Sequence, residues 1–127
     1  MRTTTEYKRV NMARKMAIST SDGKTVHQHF GHTKEFRIVS VDENGYKYIE
    51  TRDVTPCCNQ AGHNESAFDA VLSVLRDCEA VIVGRIGVGA SNYLISKGMR
   101  VFEVSGIVDE ILTEFAVNYS RYFPKEN

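Results

Sequence analysis

Four consecutive apolar residues, Ala80-Val81-Ile82-Val83, constrain this chain more than any other stretch. A strand with one wet face alternates polar and apolar positions. A strand with no polar position must be covered on both faces, as in parallel sheets flanked by helices. The neighbouring sequence supplies the cover. Upstream, Ala67, Phe68, Val71, Leu72, Val74 and Leu75 draw an apolar stripe along a helix that starts after Asn64, a suitable N-cap, and runs to about residue 76. Downstream, Gly84-Arg85-Ile86-Gly87-Val88-Gly89-Ala90 turns into a second helix that ends near Lys97, with Gly98 closing it. Residues 99–104 form the next strand, and Ser105-Gly106 breaks it. Ile107, Ile111 and Phe115, with Val108, Leu112 and Ala116, then set out a third helix by their i, i+4 spacing.

The first half of the chain is β-type. Residues 15–20 form a short strand ending at Ser21-Asp22-Gly23. Residues 35–42 and 46–54, rich in Val, Ile, Tyr, Phe and Thr, flank Asp42-Glu43-Asn44-Gly45. Asn-Gly between two such runs is a strong hairpin signal, so these strands are antiparallel neighbours. A hairpin followed by β-α-β-α-β-α, with right-handed crossovers, gives a three-layer α/β fold. It has a five-stranded mixed sheet whose second strand is antiparallel, and about three helices. The expected core is Ile18, Val39, Phe68, Leu72, Val81, Val83, Leu94, Val101, Ile111 and Phe115. A basic, Thr-rich arm (1–14) precedes a single domain (15–118), and an aromatic, charged tail (119–127) follows. Met12 is a second candidate start.

Charge and cysteine usage narrow the function. Sixteen Lys+Arg balance sixteen Asp+Glu, which argues against nucleic-acid binding through a bulk basic field. No apolar run reaches the ~20 residues of a membrane span, and no signal-peptide core follows the N-terminus. Three cysteines, two of them adjacent, make a poor disulfide framework. A reducing cytoplasm with free thiols is the expected setting.

His27-Gln28-His29-Phe30-Gly31-His32 holds three of the four histidines in a loop between two strands. Imidazole is the commonest protein metal ligand. Phe30 is expected to anchor the loop in the core, with Gly31 permitting a tight turn. That arrangement makes His29 the best-placed donor and leaves His27 in solvent. A second loop carries Cys57, Cys58 and His63. Thiolates suit iron–sulfur units and copper(I), and imidazole suits iron, zinc and copper. Adjacent cysteines serve two atoms of a cluster more easily than one small ion, and the spacing matches no zinc-finger pair. Ligand chemistry alone leaves open a cluster, a mononuclear zinc or copper ion, or cysteines with no metal role. Cys78, at a helix end before a buried strand, reads as a small core hydrophobe. The glycine-rich turn over residues 84–90, with Arg85, Gly87 and Gly89, presents backbone N–H groups at a helix start, which attract anions. It is neither a P-loop nor a dinucleotide fingerprint. Close packing of helix on strand explains the glycines equally well.

Ser21-Asp22-Gly23 followed by His29-Phe30-Gly31, and Asp77-Cys78-Glu79-Ala80-Val81-Ile82-Val83-Gly84-Arg85-Ile86-Gly87 followed by Gly98, resemble the two signatures of the dinitrogenase iron-molybdenum cofactor biosynthesis family. This group contains NifX, the NafY core and the NifB C-terminal domain. The resemblance covers about residues 14–118. It implies a ribonuclease-H-like fold with strand order 3-2-1-4-5 and binding or carriage of iron–sulfur-based metalloclusters, including the iron–molybdenum type. It also implies cofactor-assembly or acceptor proteins as partners, and no turnover. Its cofactor-binding histidine corresponds to His29. Cys57 and Gly62-His63 are similar to a Cys-then-Gly loop of NifB-type domains, where Cys58 departs from the pattern. NifB's radical triple-cysteine motif is absent.

In that strand order the loop after strand one and the turn after strand four share the carboxyl end of adjacent strands, where α/β ligands bind. His29, Cys57 and His63 are therefore the expected metal donors, with His32 and Cys58 secondary and Arg85, Gly87 and Gly89 on the anion side. Enzyme readings are weaker. The first strand has no carboxylate for two-metal nuclease chemistry, and adjacent cysteines make a poor redox pair. A partner-binding module without metal is the remaining alternative.

Overall fold

A computed structural model of the chain describes residues 13–56 and 65–124. The strands are β1 (Arg14–Ser19), β2 (Thr25–Val26), β3 (Glu35–Asp42), β4 (Gly45–Asp53), β5 (Ala80–Val83), β6 (Arg100–Glu103) and β7 (Gly106–Ile107). The helices are α1 (Glu65–Val74), α2 (Val88–Ser96), α3 (Val108–Val117) and the short α4 (Tyr119–Tyr122), with a 3-10 turn at Phe30–His32. Five strands form the main sheet in the order β4-β3-β1-β5-β6. β3 runs antiparallel to β1 and β4, whereas β1, β5 and β6 are mutually parallel. This is the expected three-layer mixed sheet, with the expected hairpin and strand order.

The apolar run of β5 explains the layering. All four of its residues are buried. Val81 and Val83 face one side and pack with Phe36, Ile38, Phe68, Leu75 and Leu94 under α1 and α2. Ala80 and Ile82 face the other side and pack with Met16, Ile18, Leu112 and Phe115 under α3. Each large side chain so buried contributes about 1.5–3 kcal/mol. Of the expected core, Leu72, Val101 and Ile111 are only partly buried and pack at its margin.

Several boundaries differ from the sequence reading. β1 is one residue earlier than 15–20, and α1 stops at Val74 rather than near 76. Ile107 is not helical. It caps α3 from β7, which pairs with β2 in a separate two-stranded sheet that the sequence did not suggest. Two residues are too few to show a β period. The core also extends past residue 118: Phe123 is 2% exposed and stacks with Phe115 and Tyr119. The hairpin is closed by Glu43-Asn44, since Asp42 already pairs with Gly45. Cys57, Cys58, His63 and the expected cap Asn64 lie outside the described residues.

Candidate functional site

Three buried polar side chains, Ser19, Thr20 and Thr33, gather at the carboxyl end of β1. Buried hydroxyls must find partners, and these partners build the loop above them. The Thr20 hydroxyl receives the Gly23 N–H at 3.0 Å and donates to Asp22 Oδ1 at 3.2 Å. That carboxylate also accepts the Lys24 and Thr25 N–H groups at 2.8 and 3.0 Å. These backbone donors, Lys24 first, hold the Asp22 carboxyl well below its ordinary range. Gly23 has a left-handed backbone, φ 75°, and a Cβ there would strike the Arg37 guanidinium. The Ser-Asp-Gly turn is thus a folded Asx turn that delivers β2.

The next residues dock onto the end of β5. Gln28 O accepts the Gly84 and Arg85 N–H groups at 3.0 and 3.2 Å, and Phe30 N–H donates to Arg85 O at 2.7 Å. His29 and Arg85 therefore form a parallel bridge that continues the sheet beyond β5. The two sequence candidates, the histidine loop and the glycine turn, meet at their backbones. Gly84 makes the approach feasible, because a Cβ on it would sit 2.7 Å from the His27 carbonyl carbon.

Beneath the bridge, the Ser19 and Thr33 hydroxyls lie 2.8 Å apart, and Thr33 Oγ1 donates to His29 O at 3.0 Å. Phe30 is buried and tilts against Phe36, as expected of an anchor. Gly31 is buried within the tight 3-10 turn and reaches it without a left-handed backbone. Its N–H donates to His29 Nδ1 at 3.0 Å, making His29 the cap of the 3-10 turn. In the neutral ring this places the proton on Nε2. His29 and His32 are both exposed, their ring centroids 5.3 Å apart. His27 is exposed too, and its Nδ1 lies 3.4 Å from Thr25 Oγ1.

The glycine turn is not wholly free for an anion. Glu103 Oε2 accepts the Ile86 N–H at 2.8 Å. Gly87 is the N-cap of α2 and supplies no side-chain bond, while Arg85 and Gly89 are exposed. A Cβ at Gly87 would meet nothing within 4 Å, so close packing accounts for Gly84 but not for Gly87.

Among the described residues, no group of three His, Cys, Asp or Glu side chains is placed to hold a metal ion. His29 and His32 form a two-imidazole set to which the described chain adds no thiolate. Cys78 is buried, 6% exposed, with its thiol pushed up to about 11, chiefly by desolvation. It is the core hydrophobe expected. The sequence reading took in Gly84 as the first residue of the glycine turn without foreseeing its close approach to His27, and it overlooked the Ser19/Thr33 pair. Hydroxyls at the end of an apolar strand were the available signal for the latter.

A family model described as "Dinitrogenase iron-molybdenum cofactor" matches residues 12–118. The FeMo cofactor biosynthesis protein NifB of Frankia alni is 31% identical over 102 residues, covering 78% of this chain and 20% of its own length. That of Azotobacter vinelandii is 37% identical over 88 residues, 67% of this chain and 18% of its own. The chain thus spans about a fifth of these relatives. The crystal structure of PH0822 superposes with TM-score 0.62 at 23% identity, covering 80% of this chain and 88% of that one, and shares the fold. No described helix is long and apolar enough to cross a membrane.

Proposed function

Because the chain belongs to the dinitrogenase iron-molybdenum cofactor family, we propose that it serves the biosynthesis of that cofactor as a binding or carrier protein. Its cargo in this reading is an iron–sulfur-type metallocluster, handed to assembly or acceptor proteins without turnover. The observation that carries the reading is the His29–Arg85 bridge. It sets an exposed imidazole, a guanidinium and a glycine-rich helix start side by side at the carboxyl ends of adjoining parallel strands.

His29 is the principal contact, with Cys57 and His63 completing the donor set and His32 and Cys58 secondary. Arg85 and the amides around Gly87 and Gly89 favour a negatively charged cargo. Two modes are open to His29. With Nδ1 capping Gly31, its Nε2–H donates a hydrogen bond to a sulfide or carboxylate oxygen of the cargo. To ligate metal through Nε2, the ring must move its proton to Nδ1 and give up the cap, a loss of about 0.5–1.5 kcal/mol. Either mode suits a carrier, which must release what it holds.

Anaerobic loading with iron and sulfide tests the proposal. Charge-transfer absorption and protein-bound iron are expected. Background iron together with stoichiometric zinc from a zinc solution would move the assignment to a mononuclear site.

A further inference from the structure

β6 ends the main sheet, so one of its sides faces no strand among the described residues. Its bonding parity shows which groups point outward. Arg100 N–H donates to Glu79 O at 3.0 Å and Val104 N–H to Val83 O at 2.8 Å, so the even-numbered residues bond toward β5. Val101 and Glu103 therefore turn their N–H and C=O groups to the open edge. Neither residue is buried. Beside this edge, on the α3 face, lies a groove of about 340 Å³. Phe102, Ile111, Phe115 and Tyr122 give it an apolar floor, and β7 walls one end with Ile107, which is 49% exposed. The rim is acidic. Glu103, Glu110 and Glu114 line it, with no lysine or arginine among the lining residues. Glu114 already accepts from Asn118 and Tyr122, Arg100 donates to the Tyr122 carbonyl beside it, and Asp109 is taken by Tyr46 of β4.

An unpaired edge is a template for an added strand. An apolar floor beside it receives every second side chain of such a strand. Carboxylates on the rim repel an acidic occupant and attract a basic one. The geometry points to a docking site for an extended basic segment of a partner protein, paired along β6 with its alternate apolar side chains over Phe102 and Ile111. The site is distinct from the His29 turn and independent of any cargo. It is mechanically connected to that turn, because β7 pairs with β2, which runs straight into His27-Gln28-His29.

The test is fluorescence anisotropy of the full chain with a labelled, end-blocked peptide of alternating lysine and valine, about eight residues long. Saturable binding is expected. Replacing the peptide's lysines by glutamates, or Glu110 by lysine, should weaken it about tenfold or more, and Glu110→Gln should fall between. N-methylation of one alternate set of peptide amides should abolish binding, and of the other set leave it. Circular dichroism melts of the variants establish that the fold is retained. The proposal is overturned by no binding, by equal binding of basic and acidic peptides, or by indifference to both N-methylation patterns. A self-associated dimer that Glu110→Lys dissolves, with no peptide bound, would make the occupant a second copy and overturn it equally.

Discussion

At the scale of single residues, Gly84 and Cys78 carry opposite lessons. Gly84 is in the site by what it lacks. Alanine there would push its Cβ into the backbone of His27 and Gln28, at 2.7–3.0 Å. Gly84→Ala is expected to cost about 1–3 kcal/mol of stability, as overpacking does, and to displace the strand segment that carries His29. Thermal melts and cargo loading of the same preparation check both effects. Gly87→Ala, with open space around it, should leave the melt within about 0.5 kcal/mol of the parent. Cys78 is the converse, a reactive residue type made inert by burial. Its folded value near 11 stands above the ordinary 9.0. The native state therefore holds its proton more tightly than the unfolded chain. The sign follows: this contribution is complete below pH 9 and is lost as pH rises toward 11. Denaturant titrations across that window should show a steeper loss in the parent than in Cys78→Ala. Brief alkylation at neutral pH should spare Cys78 in peptide maps of the native protein.

At the scale of elements, one polar cluster fastens three parts of the fold. Arg52 of β4 donates to both carboxylate oxygens of Asp77, at 2.7 and 3.0 Å, and to Val74 O at the end of α1. Lys15 of β1 reaches the same carboxylate at 2.9 Å. Arg52 and then Lys15 hold the Asp77 carboxyl well below its ordinary 3.8. Asp77 is 44% exposed, so solvent screening limits the effect. Arg52→Ala should destabilise by about 1 kcal/mol at neutral pH. A carboxyl with a depressed folded value contributes above its unfolded value, so the difference between parent and variant should shrink as pH falls below 3.8. Denaturant midpoints at several pH values read this directly. The elements were legible where a period was long enough to see. The stripe from Ala67 to Leu75 and the i, i+4 series Ile107, Ile111 and Phe115 named α1 and α3, although Ile107 caps α3 rather than joining it, and Asn44-Gly45 named the hairpin. β2 and β7 were not legible, because two residues carry no period and their pairing joins Thr25 to Ile107 across the chain.

For the whole molecule, the apolar run of β5 carried the architecture, since a strand covered on both faces forces helices onto both sides of the sheet. The neighbour of β5 was not legible in that run: the place of β1 beside it, which brings the histidine loop to the glycine turn, came only from the family resemblance. The packing of Phe123 on Phe115 was hidden, because an aromatic, charged tail reads alike whether it covers a core or lies in solvent. The bridge between His29 and Arg85 was hidden for a related reason, being made of backbone groups that every residue possesses. The central claim is that this bridge presents His29 to the cargo while His27, two residues away, stands outside. The most direct measurement is protein-bound iron after anaerobic loading of the parent, His29→Ala and His27→Ala, each verified as folded by its melt. His29→Ala should lose most of the iron and His27→Ala should match the parent. Equal losses in the two variants, or full loading of His29→Ala, would contradict the account.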